Sequence, residues 1–367
     1  MRVLLAGGGT GGHINPALAI ANEIRKNDPS SAILFAGTPN GMEAKLIPEA
    51  GYDFTTIKVA GIQRRLTPYN IYRNIKAVWY LLFASGRAKK IIKGFNPDIV
   101  IGTGGYVSGP IVKTAQKMGI KTAIHEQNAF PGVTTKLLAP GAKAVMLAFE
   151  KAKEFLPEGL NFHVTGNPVR ESIILADKEK SRKALGLDGR VCLLSFGGSL
   201  GAETINRVAA EIIALNQDGE FNHIHATGKY GVELVPALLK EKGAKPADGT
   251  VVREYINNMD ECLAAADLVV CRAGAITLSE LAAAGKPAIL IPSPNVAENH
   301  QFKNAKAVEE NGAAIVFEDK NIDYKAAASA AVDLLKDKKR MEALRKNASK
   351  NAIIDANERI YKVISSL

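Results

Sequence analysis

The feature that most narrows the possible folds is a transition the chain makes four times, from an apolar strand-like run into a glycine-rich loop. "RVLLAG" leads into "GGTGGH" (residues 8–13) and "DIVI" into "GTGGYVSGP" (102–110). "CLLSF" leads into "GGSLGAETIN" (197–206) and "DLVV" into "CRAGAITLSE" (271–280). Each loop closes a predicted strand and opens a helix, where unpaired amides and the helix dipole favour a phosphate. One such loop is common in α/β proteins. Four at equivalent places in two halves point to a ligand held between two domains, near the switch points of their sheets.

The rest of the chain fits this frame. "RVLLAG", "AILFAG", "DIVIGTGG", "KTAIHEQ", "AVMLAF" and "FHVTGNP" alternate with helical patterns. A second series follows: "VCLLSFGGS", "NHIHATG", "GTVVREYI", "DLVVCRAG", "PAILIPS" and "AAIVFED". Short β-branched runs with helical crossovers predict an α/β fold of two Rossmann-like domains, each a parallel, doubly wound sheet. The expected limits are 1–168 and 169–345, with a last helix over 346–367 that can cross back to the first domain. A length of 367 residues exceeds one ordinary core and agrees with two.

Composition excludes several classes. A hydrophobic content of 47% with 33 glycines leaves no room for a disordered or fibrous chain. Cys192, Cys262 and Cys271 lie in or beside apolar runs and read as buried, reduced thiols. The start reads as a first strand and not a signal peptide. The longest apolar run, residues 77–84, is far short of the ~18–20 needed to span a bilayer. The net charge of +10 suits a solvated basic surface, an anionic ligand, nucleic acid or anionic lipid.

The first loop satisfies Gly7-x-Gly9-x-x-Gly12, the dinucleotide fingerprint. That motif also wants an acidic residue at the end of the second strand to hold the ribose. Here "AILFAGTPN" ends without one, and Asp28 falls in the turn before that strand. The fingerprint is incomplete. No GxxxxGK[ST] loop is present either. The segment "CRAGAITLSELAAAGKPAILIPS" is more specific, because its glycine turn starts a helix bearing Ser279 and Glu280. From there a carboxylate can accept both ribose hydroxyls while the helix start faces a diphosphate.

"GGTGGH", "GTGGYVSGP", "HEQN", "GNPVR", "GGSLGA" and "CRAGAITLSELAAAGKPA" in this order resemble the family-28 glycosyltransferases of bacterial peptidoglycan synthesis, and the likeness runs along essentially the whole chain. The resemblance implies a GT-B fold with a deep interdomain cleft, donor nucleotide on the second domain and lipid acceptor on the first. It implies inverting transfer of GlcNAc from UDP-GlcNAc to the C4 hydroxyl of MurNAc-pentapeptide on undecaprenyl diphosphate (lipid I), giving lipid II. It implies no cofactor and no metal, and the sequence contains no Asp-x-Asp.

Carried over by position, the resemblance places Thr10, Gly11 and Gly12 near the donor's sugar and diphosphate and Asn128 on the GlcNAc. It sets Arg170 and Ser199 on the diphosphate and the Ile256 backbone on uracil. Ala275, Ile276, Thr277, Leu278, Ser279 and Glu280 wrap the sugar and nucleotide, with Glu280 on the ribose. Beyond "ILIP" the pattern departs from the family's, and Asn295 and Gln301 are both candidates for the sugar. Gly104, Gly105 and Tyr106 are assigned to the acceptor.

The chemistry requires a base for the acceptor hydroxyl and a neutral home for the leaving diphosphate. An imidazole ordinarily titrates near pH ~6.5, so His13, at the tip of a loop that admits close approach, suits the base. Glu126 is its rival and His125 a weaker one. His163, His223 and His225 sit on strand-like segments and read as structural, while His300 belongs to the divergent loop. Residues 69–95 interleave apolar Ile75, Trp79, Leu82 and Phe83 with basic Lys89 and Lys90. Core packing alone would explain the helical spacing, but the pattern also suits peripheral docking on the anionic cytoplasmic face of the cell membrane. Other cell-wall synthesis proteins are further possible partners. Two alternatives stay open at this stage. One is another UDP-sugar enzyme of the same fold, such as a glycolipid synthase or an epimerase. The other is a basic nucleic-acid-binding protein, which would explain the charge but none of the loops.

Overall fold

The computed structural model describes residues 1–59, 67–350 and 352–367, and for 68–78, 81 and 82 the backbone alone. Contacts divide the chain into two units, Met1–Pro168 with Asp355–Leu367, and Val169–Ile354.

The first unit has seven strands: β1 (Arg2–Gly7), β2 (Ala32–Gly37), β3 (Asp53–Thr56), β4 (Ile99–Gly104), β5 (Lys121–Glu126), β6 (Ala144–Leu147) and β7 (Phe162–Val164). They lie in the order β3-β2-β1-β4-β5-β6-β7, every pair parallel. The second unit carries β8 (Cys192–Phe196), β9 (Asn222–Ala226), β10 (Thr250–Arg253), β11 (Leu268–Cys271), β12 (Ala288–Leu290) and β13 (Ala314–Val316). Their order is β10-β9-β8-β11-β12-β13, again all parallel. The apolar runs anticipate all of these strands but β3. "DFTT" is a short edge strand with its residues partly exposed, so it needs no apolar run.

Burial on both faces explains why β1 is apolar from Val3 to Ala6. Val3 and Leu5 enter a core built with α1 (Gly11–Asn27) through Ile14, Ala17, Ile20 and Ile24. Leu4 and Ala6 enter the opposite core, made with α3 (Pro68–Phe95) and α4 (Gly105–Lys117) through Ala88, Ile92, Val107 and Ile111. The period of two along a strand sends alternate side chains to the two layers. The terminal helix Ala356–Ser365 seals the first core with Ile360 and Ile364. Residues 346–350 and 352–354 stay with the second unit, where the helix Lys338–Lys350 contributes Leu344 to the core. Cys192, Cys262 and Cys271 are free and buried, and burial pushes their thiols up to about 12, 11 and 12.

Strand order reverses between β1 and β4 in one sheet and between β8 and β11 in the other. The four glycine loops follow these four strands. Each pair of loops therefore opens at a topological switch point, where open α/β sheets bind their ligands.

Candidate active site

In the first unit the loop after β1 turns through Gly9, whose φ of +85° suits a residue without a Cβ. Thr10 then caps α1 by accepting the amides of His13 and Ile14 at 3.1 and 3.2 Å. Gly11 and Gly12 occupy the first helical turn, where amides lack an intrahelical acceptor. His13 is held on three sides. Thr103 Oγ1 donates to its carbonyl at 2.9 Å. Nδ1 lies 3.2 Å from Gln127 Oε1. A Cβ on Gly104 would stand 2.6 Å from the same Nδ1, so only glycine, here at φ +111°, lets the ring sit there. Among the described residues no hydrogen-bond partner contacts Nε2. Tyr106, half exposed, places its hydroxyl over Gly9, and Gly105 follows Gly104 at φ +76°.

Glu126 is differently placed. It is buried, and its carboxylate accepts from Asn128 N and Nδ2 (both 3.0 Å), Gly132 N (3.1 Å) and Thr135 Oγ1 (2.5 Å). Four donors occupy the lone pairs a base would need. The geometry makes Glu126 a staple for residues 126–135 and orients Asn128. His125 is buried, and burial holds its ring below the ordinary imidazole range, against the opposing pull of the Gly166 carbonyl and the Glu126 charge.

The structure adds a residue the sequence did not single out. Glu43, at the start of α2 (Glu43–Glu49), is fully buried beneath the first loop. It accepts from Gly9 N at 3.1 Å and from Thr38 N and Oγ1 at 2.9 and 2.7 Å. Burial pushes its carboxyl up, but the Thr38 hydroxyl and amide, its own amide and that of Gly9 outweigh this and hold it below the usual carboxylate range. An internal carboxylate thus takes an amide that a dinucleotide phosphate would claim in a nicotinamide domain. Asp28, in the turn before β2, binds the Met1 ammonium at 2.7 Å.

In the second unit Ser199 is exposed in the loop between β8 and the helix Glu203–Leu215. Its carbonyl accepts the Lys229 amide at 3.3 Å, while Leu200 accepts that of Tyr230 at 3.1 Å, so two loops brace each other. Ile256 buries its side chain and leaves its backbone in the segment after β10. The helix Ala275–Ala283 anchors itself through Ala275 and Leu278 and leaves Ile276, Thr277, Ser279 and Glu280 partly accessible. Glu280 Oε1 accepts from Arg170 Nε at 3.1 Å. Burial raises the Glu280 carboxyl above its ordinary range, and the charge and hydrogen bond of Arg170 only partly offset this. Asn295 is exposed, whereas Gln301 is partly buried with its Oε1 accepting the Ser293 amide at 2.9 Å. His223 and His225 are buried beside Ser195, far from ordinary protonation, the latter pushed down to about 4 by burial. His163 is partly buried on β7. Among the described residues no group of three His, Cys, Asp or Glu could hold a metal ion.

On α3, Ala84, Ala88 and Ile92 face the core, while Trp79 and Phe83 are 59% and 49% exposed with ring centroids 5.1 Å apart. Lys89 and Lys90 are exposed as well. The side chains of Ile75 and Leu82 lie outside the described residues. No helix among the described residues is long and apolar enough to cross a membrane.

Comparison with known proteins agrees with this arrangement. The glycosyltransferase family 28 N-terminal domain matches residues 3–147 and the family's C-terminal domain matches 192–360. An enzyme of Acetivibrio thermocellus is 43% identical, over 100% of this chain and 98% of its own. It is named UDP-N-acetylglucosamine–N-acetylmuramyl-(pentapeptide) pyrophosphoryl-undecaprenol N-acetylglucosamine transferase. The crystal structure of MurG from Acinetobacter baumannii superimposes with a TM-score of 0.79 at 28% identity, covering 100% of this chain and 99% of that one. UDP-GlcNAc 2-epimerase from Neisseria meningitidis shares the fold alone, with a TM-score of 0.68 at 13% identity and complete coverage of both chains. On the strength of the two domain matches and the full-length relatives, the chain belongs to glycosyltransferase family 28.

Proposed function

We propose that this protein transfers GlcNAc from UDP-GlcNAc to the C4 hydroxyl of MurNAc in undecaprenyl-diphospho-MurNAc-pentapeptide, with inversion at the transferred carbon. The observation that carries the reading is the full-length identity to an enzyme whose name states this donor and acceptor. The second unit takes the donor. Ser199 and Arg170 face its diphosphate, the Ile256 backbone meets uracil, and Glu280 accepts the ribose hydroxyls. Asn295 and Gln301 border the sugar. The first unit presents Thr10, Gly11, Gly12 and Asn128 to the sugar and diphosphate, and Gly104, Gly105 and Tyr106 to the acceptor.

In the reaction His13 Nε2 removes the proton from the acceptor hydroxyl as its oxygen bonds to the anomeric carbon. The bond from that carbon to the diphosphate breaks with its electron pair, and UDP leaves. Arg170, Ser199 and the helix N-termini stabilise the negative charge that develops. Glu280 and Arg170 pair with each other at 3.1 Å, so donor binding redirects both groups to the nucleotide.

UDP-GlcNAc should bind in calorimetry with a chelator present, and labelled GlcNAc should pass to a lipid I analogue. Glu280→Ala should abolish this transfer. Because the Glu280 carboxyl is raised, it protonates at higher pH than an ordinary glutamate. Donor affinity should therefore fall as the pH drops, and Glu280→Gln should be weaker at high pH and lose that dependence. Binding of NADH in place of UDP-GlcNAc would end this reading.

The acceptor is lipid-borne, so the enzyme works at a membrane surface. Trp79 and Phe83 supply an exposed apolar pair and Lys89 and Lys90 the charge, as docking on anionic lipid at the cytoplasmic face requires. Co-sedimentation with liposomes should increase with the anionic lipid fraction and drop in Trp79→Ala and in Lys89→Glu/Lys90→Glu. Binding indifferent to both would exclude this face.

A further inference from the structure

We infer that Gln127 is the positioning residue that makes His13 a base, by fixing which ring nitrogen carries its proton. The inference rests on the base role proposed for His13 and goes beyond it. Three side chains form one line from the interior of the first unit to the loop tip. His125 Nε2 lies 3.0 Å from the Gly166 carbonyl. Gln127 Nε2 lies 3.0 Å from His125 Nδ1 and 2.8 Å from the His125 carbonyl. Gln127 Oε1 lies 3.2 Å from His13 Nδ1. Gln127 and His125 are 3% and 1% exposed, and the Gln127 carbonyl takes a further bond from Asn167 Nδ2 at 3.0 Å.

The direction of every hydrogen bond follows from the inner end. A backbone carbonyl only accepts, so His125 must carry its proton on Nε2. Burial keeps that ring neutral, which leaves a lone pair on Nδ1. Gln127 must then turn its NH₂ towards His125. The opposite amide orientation would set its oxygen 2.8 Å from the His125 carbonyl, acceptor against acceptor. With the NH₂ committed inward, the amide oxygen faces His13 and only an Nδ1–H satisfies it. The proton of neutral His13 is thereby assigned to Nδ1 and the lone pair to Nε2, the nitrogen with no described partner.

The logic is that of a base oriented by a third group, with a neutral amide where a triad has a carboxylate. The nearest carboxylate in sequence, Glu126, is spent on Asn128, Gly132 and Thr135 and takes no part. His13 is thus aligned by a neutral amide, and the imidazolium it becomes must pass its proton on after transfer.

Nitrogen-15 NMR of histidine-labelled wild-type protein reads the tautomer directly, and six histidines are few enough to assign by single substitution. The expected spectrum shows neutral His13 as Nδ1–H and His125 as Nε2–H. Gln127→Ala should return His13 to a mixture of tautomers and lower kcat by about 10²-fold, the scale of a misplaced catalytic group, with KM for UDP-GlcNAc unchanged. Gln127→Glu should place a charge beside Nδ1 and move the acid limb of kcat upward by about one to two pH units. A wild-type His13 protonated on Nε2 would overturn the relay. So would a folded Gln127→Ala with wild-type tautomer and kcat. An Nδ1–H His13 in an enzyme that keeps its activity as His13→Ala would instead overturn the base role on which the inference rests.

Discussion

His13→Ala is expected to lower kcat by about 10²–10⁴-fold, the range that general-base catalysis contributes. KM for UDP-GlcNAc should change little, because Arg170, Ser199, Ile256 and Glu280 belong to the second unit, and the donor-facing Thr10, Gly11 and Gly12 are placed by the main chain rather than by the imidazole. The acid limb that protonation of an imidazole imposes on kcat should vanish with the side chain. The substitution leaves the loop intact for a geometric reason. Thr103 binds the His13 carbonyl, and Thr10 caps the helix by accepting main-chain amides, so neither depends on the imidazole. Steady-state kinetics across pH with unchanged donor binding would establish the base. Activity within tenfold of wild type and an unaltered acid limb would return the search to other groups. Glu126 would not be a simple successor, since freeing its carboxylate means breaking the four bonds that order residues 126–135.

Much of this architecture is written locally. β1, β4, β8 and β11 are buried on both faces, so they appear as mainly apolar runs, and each ends in a glycine or meets one within three residues, before the next helix begins. β3 escapes because an edge strand needs no such run. The site is less legible wherever its parts come from distant segments. His13 and Gln127 are 114 residues apart, and Arg170 and Glu280 are 110 apart. Their meeting depends on parallel strand order, which one sequence suggests only at the level of class. The polarity of the relay depends further on a backbone carbonyl, Gly166, that no side-chain pattern announces. Trp79 shows the converse limit. Its helical spacing fits a core position, yet the face of α3 that packs runs through Ala84, Ala88 and Ile92. Glu43 left a trace that could have been read. "GTPNGMEA" follows a strand end, and Gly8, Gly37 and Gly41 are each a position where a Cβ would collide with its side chain.

Glu43→Ala should therefore be among the most damaging changes outside the reacting groups. It removes a buried acceptor from Gly9 N, Thr38 N and Thr38 Oγ1 and leaves a void beneath the loop. Hydrogen bonds to a charged group are worth roughly 1.5–3 kcal/mol each, and a buried amide left unpaired costs about 1–3 kcal/mol. Since Thr38 can rotate its hydroxyl elsewhere, a loss of about 3 kcal/mol is a fair expectation. In a unit of this size that lowers Tm by about 6–12 °C in calorimetry. The pH dependence gives the effect a signature. The folded-state pKa of Glu43 lies below its unfolded value, so its contribution is complete above the unfolded pKa of about 4.3 and is lost as the pH falls through the folded value. The Tm difference between wild type and Glu43→Ala should accordingly be full at neutral pH and shrink below about pH 4. Glu43→Gln keeps the volume but turns an NH₂ on at least one of the three donors, so it should fall between the two. The kinetic consequence follows from place. Gly9 begins the turn that delivers Thr10 to His13, so both variants should lose kcat at temperatures where they remain folded. A Glu43→Ala protein with wild-type Tm and kcat would mean that the loop holds its shape without the carboxylate. Gly37 would still be required by the Phe54 ring, which a Cβ there would meet at 2.6 Å, but the space kept at Gly8 and Gly41 would serve a carboxylate the loop does not need.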